Sequence, residues 1–248
     1  MASRLRITGV VLILLGIVAL GASGYTYIRT QDSADSLQGF SEAQDVNLSY
    51  NADGQLIDRG STEGADAILE LLGETWRWPI VDAELDPNDP LVNTATEYMY
   101  QMATIAYHTL TGTQDVVLTE VAEWDGDGEE GISDDAVVYF GGAWDPSTSG
   151  VDEVFNPGVY EVPVDGRYWT QFNRLHPLDG PAREQTWSGT VHGLFAELGV
   201  GAVTASLAQV GVGIAAVVLL MGLGFLSTGI LLIWTAMAKK EEEPPATA

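Results

Sequence analysis

Cysteine is absent from all 248 residues, and lysine occurs only twice, at Lys239 and Lys240. The first absence excludes disulfides, thiolate metal sites, iron–sulfur ligation, a cysteine nucleophile and a lipid anchor on cysteine. It leaves the redox compartment open, because an exported domain can lack disulfides. Basic residues are scarce altogether: 10 Lys and Arg stand against 35 Asp and Glu, for a net charge of −25. Without basic clusters there is nothing to grip a phosphate backbone, so nucleic acid is excluded as a partner.

Catalytic signatures are missing too. The three histidines, His108, His176 and His192, have no zinc-site spacing. No Gly-x-Ser-x-Gly occurs, and between the two apolar runs no lysine is available for a Ser-x-x-Lys site. Gly211-Val-Gly-Ile-Ala-Ala216 mimics a dinucleotide fingerprint but lies inside an apolar run with no strand before it. The sequence therefore reads as non-enzymatic.

What the chain does have is two long stretches without charge. Ile7–Ile28 supplies 22 residues between Arg6 and Arg29. At 1.5 Å per residue it reaches about 33 Å, enough to cross a hydrocarbon core. A second stretch covers 198–238, densest from Val210 to Met237, and reads as one crossing after an apolar approach segment near 194–208. Arg4 and Arg6 precede the first run, and Lys239 and Lys240 follow the second, which predicts both termini in the cytoplasm. Tyr25 and Tyr27 fall at the outer interface and Trp234 at the inner one, where amphipathic rings prefer to lie. The competing reading is a cleaved signal peptide with Val10–Ala19 as its apolar core. Neither run holds an ionisable residue, which argues against a conducting path. Small residues four apart (Ala19 and Ser23, Gly211 and Ala215, Gly224 and Thr228) are candidates for helix packing, within the chain or against a membrane-protein partner.

Between the runs the acidity is concentrated. Residues 30–209 hold 32 acidic and 5 basic side chains, with the acids scattered rather than blocked. That is the surface expected of an archaeal halophile, since molar salt shortens the screening length to about 3 Å.

The expected organisation is a cytoplasmic tail 1–6, a transmembrane helix 7–28, an acidic stalk 29–63, an extracellular domain 64–205, a second transmembrane helix 206–238 and a cytoplasmic tail 239–248. The fold class is an α+β outer domain, a helical part plus a small antiparallel sheet, flanked by two transmembrane α-helices. Gly64–Gly73 predicts a short helix. Asp89-Pro90 predicts the start of a longer one, with Leu91, Ala95, Tyr98, Met102, Ile105 and Ala106 on one face and Gly112 at its end. Val116–Trp124 and Ala136–Phe140 predict strands. Val159–Val164 and Arg167–Phe172 predict a hairpin across Asp165-Gly166.

Three local features are candidate sites. Asp125, Asp127 and Glu129 alternate with glycines and are able to converge on a structural Ca²⁺, although the spacing is not that of an EF-hand; the other reading is a solvated acidic loop. Arg167, Arg174, His176, Arg183 and His192, with Trp169 and Trp187, form the stretch best suited to lipid, a partner subunit or an anionic ligand; the alternative is that each Arg pairs with a carboxylate. Asn47-Leu48-Ser49 is a glycosylation sequon. No cofactor beyond that Ca²⁺ is implied. The sequence as a whole points to a two-pass cell-envelope protein with a structural, assembly or accessory-subunit role. A ligand-sensing or transporter-accessory module, or a virion membrane protein of a halophile virus, would read the same way.

Overall fold

The computed structural model describes residues 2–126, 131–148 and 151–241. The chain divides into two units, one formed by 1–46, 91–95 and 201–248, the other by 47–90 and 96–200.

The first unit is built on two helices. Helix α1 spans Ala2–Gln44, 43 residues, and α5 spans Gly189–Glu241, 53 residues, of which the part from Gly201 onward belongs to this unit. Both are long and apolar enough to cross a membrane. They are about 64 and 80 Å long, roughly two and nearly three times the thickness of a hydrocarbon core. The two run antiparallel in close contact. A methyl group on Gly9 would stand 2.7 Å from the Gly229 carbonyl oxygen, and one on Gly16 would stand 2.9 Å from that of Gly222. One step further along, the Ser23 hydroxyl donates to the Ala215 carbonyl at 2.7 Å. The small residues that meet are seven apart on each helix: Gly9, Gly16 and Ser23 against Gly229, Gly222 and Ala215. A seven-residue repeat keeps one seam facing its partner, and glycine in that seam lets the backbones touch. Of the expected pairs four apart, Gly211 and Ala215 both face α1, Gly211 against the Thr30 side chain, whereas Gly224 meets nothing within 4 Å.

Helix α1 does not stop where its charge-free run ends. It continues to Gln44, through the Arg29–Asp32 ion pair (3.0 Å). Half of the expected stalk is thus helix. The rest, from Asn47, belongs to the second unit, where Leu48 is buried and bridges pair Tyr50 with Leu56 and Asp58 with Ser61.

In the second unit, α2 spans Thr62–Glu70, capped by the Ser61 hydroxyl accepting from the Gly64 N–H, and passes into a wider turn at 71–75. Helix α3 spans Ala95–Thr109, five residues later than Pro90 suggests. The Pro90 carbonyl instead accepts from the Leu48 N–H at 2.8 Å, a tertiary bond that removes it from any helical ladder. Tyr98, Tyr100, Ala103 and Ala106 form the buried face of α3.

Six short strands follow: β1 (Thr113–Leu118), β2 (Ala122–Trp124), β3 (Val137–Tyr139), β4 (Gly142–Ala143), β5 (Glu153–Phe155) and β6 (Gly158–Pro163). They make two three-stranded sheets, β1-β6-β4 and β2-β5-β3. Each is mixed rather than antiparallel: β6 pairs antiparallel with β1 and parallel with β4, and β5 antiparallel with β2 and parallel with β3. The reason lies at Gly141-Gly142. Both have positive φ (89° and 87°), and that turn lets one segment leave the second sheet after β3 and enter the first as β4. A side chain at Gly141 would also press on the Val159 carbonyl, at 3.0 Å.

The expected hairpin across Asp165-Gly166 does not form. Its first strand is β6, but residues 169–171 are a single 3₁₀ turn, and β6 takes β1 as its antiparallel neighbour over six residues. Asp165 instead accepts from the Gly112 N–H at 2.7 Å, tying the end of β6 to the start of β1. Tyr160 and Val162 point inward and Val159 and Glu161 outward, the period of two that a half-buried strand requires. The inward residues join Val116, Trp144, Phe155, Val164, Phe172, Leu178, Ala182, Trp187 and Val191 in one core. The last three come from α4 (Asp179–Thr186), its C-cap and the first turns of α5.

Candidate functional site

The segment 167–192 folds around its arginines. Arg167 binds Asp179 through both guanidinium ends, each at 2.7 Å, and donates to the Pro163 and Gln171 carbonyls at 3.0 and 3.1 Å. Its guanidinium also lies 3.9 Å over the Phe172 ring. A planar fork matched to a carboxylate is what arginine offers and lysine does not. Asp179 further accepts from the Asn173 N–H at 2.6 Å, so this one pair fixes the chain from Pro163 to α4.

Arg183 has a different partner. Its Nε donates to the Trp169 carbonyl at 3.0 Å and its guanidinium stacks 3.5 Å from the Trp169 ring. The ring of His192 lies 5.2 Å from that of Trp169 and 5.5 Å from that of Trp187, and His192 is exposed. Arg174 is exposed and forms no ion pair among the described residues. Trp169 and His192 are thus the exposed part of an aromatic and cationic cluster in which Arg183 and Trp187 are buried, so Arg183 is held by the fold rather than offered to a ligand or partner.

His176 is elsewhere. It is 1% exposed, inside the core, and has no surface to offer a ligand or partner. Its Nδ1 accepts from the Leu178 and Asp179 N–H groups at 3.1 and 3.2 Å, which places its proton on Nε2. That N–H donates to Glu153 Oε2 at 3.0 Å, while Trp144 Nε1–H donates to Glu153 Oε1 at 3.2 Å. The Trp144 ring stacks on the imidazole at 4.4 Å, and Trp124 and Phe155 meet it edge-on at 5.1 and 5.4 Å. Burial pushes the His176 imidazole below its ordinary range, against the opposing pull of the Glu153 carboxylate. A sealed acid–imidazole–indole group of this kind locks β5 to the end of β4 and to the start of α4. Nothing in the sequence marks Glu153 as buried, because a three-residue strand carries no readable period.

The other candidates sit apart. Of the acidic loop, Asp127 and Glu129 lie outside the described residues. Asp125 lies within them, and among the described residues no group of three metal-ligating side chains comes together. The carboxylate that organises this neighbourhood is Asp152, held below its usual range by the Ser133 N–H, which donates at 2.7 Å. Asn47 is exposed. His108 pairs with Asp58 at 2.9 Å.

A pocket of about 310 Å³ opens elsewhere in the same unit, lined by Tyr50, Gln55, Thr62, Asp66, Leu69 and Asp82 among others. The hydroxyl of Tyr50, in this lining, and that of Tyr100, a residue 3% exposed and outside the lining, are buried without hydrogen-bond partners among the described residues. Burial, with Glu97 and Asp86 nearby, pushes Tyr50 up to about 12; burial and Asp58 push Tyr100 up as well.

No protein-family model matches the chain, and neither a curated protein nor a solved structure is similar to it.

Proposed function

We propose that the chain is a two-pass membrane protein of a halophile's cell envelope, with both ends in the cytoplasm and the acidic unit outside. Its role is structural: assembly, or service as an accessory subunit. The observation that carries this reading is the antiparallel seam Gly9–Gly229, Gly16–Gly222, Ser23–Ala215 between two helices that are free of charge over their apolar runs. Packed this way, the Arg4–Arg6 end of α1 lies beside the last turns of α5, so one rule of positive flanks orients both helices at once. The seam also supports retention of the first apolar segment. A cleaved signal peptide would strip Gly222 and Gly229 of the partner to which they are fitted. A helix pair closed by glycine, with no charged side chain in its apolar runs, suits an anchor better than a conduit.

Protease accessibility on intact cells, with an epitope tag at each terminus, tests the topology. Both tags should survive while the central unit is digested; cleavage of either tag refutes the arrangement. The acidic surface supports the halophilic part, because lowering the salt from molar to about 0.1 M lengthens the screening distance from about 3 to about 10 Å. The purified chain should unfold on that dilution, and equal stability at both salt levels defeats the halophile reading.

A second reading is favoured by the pocket at Tyr50, whose hydroxyl, unpartnered among the described residues, would suit an extracellular ligand. A small molecule that co-purifies with the gently solubilised chain would support sensing, and stoichiometric protein partners would support assembly.

A further inference from the structure

We propose that a pocket at the outer end of the helix pair, centred on Arg29, holds the phosphate of a membrane phospholipid; this rests on the spanning arrangement above. Tyr25, Thr26, Arg29 and Ser33 of α1 and Leu207 and Ala208 of α5 line a pocket of about 390 Å³. Its depth follows from the seam. The midpoint of Ile7–Ile28 falls between Ile17 and Val18, and Arg29 lies about 17 Å further along the axis. A hydrocarbon core of about 30 Å within a bilayer of about 40–45 Å puts the headgroup layer about 15–22 Å from the midplane. Arg29 is therefore level with lipid phosphates.

The donor set fits. Arg29 is the only basic side chain between Arg6 and Arg59. Asp32 takes one N–H, from Nη1 at 3.0 Å, and the rest of the fork is free for a phosphodiester. The Tyr25 and Thr26 side chains adjoin it, each adding a hydroxyl to the lining. Leu207 and Ala208 give the glycerol end of the lipid an apolar floor. The Ser33 hydroxyl contributes no donor, since it is already committed to the Arg29 carbonyl at 3.0 Å. Asp32 is the anionic competitor, so its removal must tighten the site if the bound group is a phosphate.

The test uses the full chain, reconstituted in molar KCl into vesicles of equal parts phosphatidylglycerol and digalactosyldiacylglycerol with matched acyl chains. The chain is then extracted and its co-purified lipid analysed. The phospholipid should be enriched about tenfold over the galactolipid, as one charge-assisted bidentate contact allows. Arg29→Gln should return the ratio to that of the vesicles, Arg29→Lys should keep part of the enrichment, and Asp32→Asn should raise it. A wild-type ratio equal to the vesicle's, or no change in Arg29→Gln, overturns the proposal. So does loss of the enrichment on adding millimolar inorganic phosphate, which would assign the pocket to a free anion. Flotation separates the two failures. Wild type and Arg29→Gln that both float without enrichment defeat the phosphate site alone, whereas chains that do not float defeat the spanning reading and the site with it.

Discussion

Replacing Glu153 by glutamine changes almost no volume but reverses one hydrogen bond. Both carboxylate oxygens accept, one from Trp144 Nε1–H and one from His176 Nε2–H. Glutamine has one accepting oxygen and one donating amide, so either the indole or the imidazole must face an N–H. The imidazole cannot escape by moving its proton, because Nδ1 already accepts from two backbone N–H groups. One buried donor is left unsatisfied, at a cost of about 1–3 kcal/mol. For a unit of this size that is a fall in Tm of roughly 3–10 °C. Glu153→Ala leaves two donors unsatisfied and a cavity as well, so it should cost about twice as much or more. Tryptophan fluorescence during a thermal melt of the full chain in detergent reads both, since Trp124 and Trp144 flank the group. A glutamine variant within about 0.5 kcal/mol of wild type would refute the reasoning, for it would mean that the tautomer or the burial is not as described.

Further outcomes are expected from the same structure. Folding holds His176 below its ordinary value of about 6.5, so its contribution is complete above that pH and is lost as the pH falls below it, by at most about 1.4 kcal/mol per pH unit. The stability advantage of wild type over His176→Gln should therefore shrink on acidification below about 6.5; parallel profiles would contradict this. Gly16→Leu must push α1 and α5 apart, because its side chain would meet the Gly222 carbonyl. In a chain with no native cysteine, a Ser23→Cys, Ala215→Cys pair should cross-link, and adding Gly16→Leu should reduce the yield severalfold; an unchanged yield would place the seam elsewhere. Arg183→Ala should destabilise the second unit by about 0.5–2 kcal/mol through loss of its stacking on Trp169, measured by urea midpoint. Since Arg183 carries no ion pair among the described residues, molar salt should leave that loss largely unchanged.

The sequence by itself determined the features that depend on neighbours along the chain. Ile7–Ile28 and the run before Lys239 are helices because nothing in them interrupts an apolar pattern, and the α2 region and most of α3 follow from local spacing. The scarcity of basic residues is likewise complete before any folding. The strands near 116, 137 and 160 were visible as apolar, β-branched runs. Their partners were not, because pairing is a contact between distant residues, and Gly141-Gly142 redirects the chain where composition shows only a turn. Asp165-Gly166 illustrates the limit: a sound hairpin signal lost to β1, which offers β6 six paired residues. In the candidate site, the grouping of Arg183, Trp169 and His192 was partly legible from their nearness in sequence. The burial of His176 was not, because its partner Glu153 lies 23 residues away on a strand too short to show a period. Only the tertiary structure decided which small residues meet in the helix pair. Many spacings of glycine, alanine and serine coexist in the two runs, and which of them forms a seam depends on the register of one helix against the other, a quantity that neither helix contains alone.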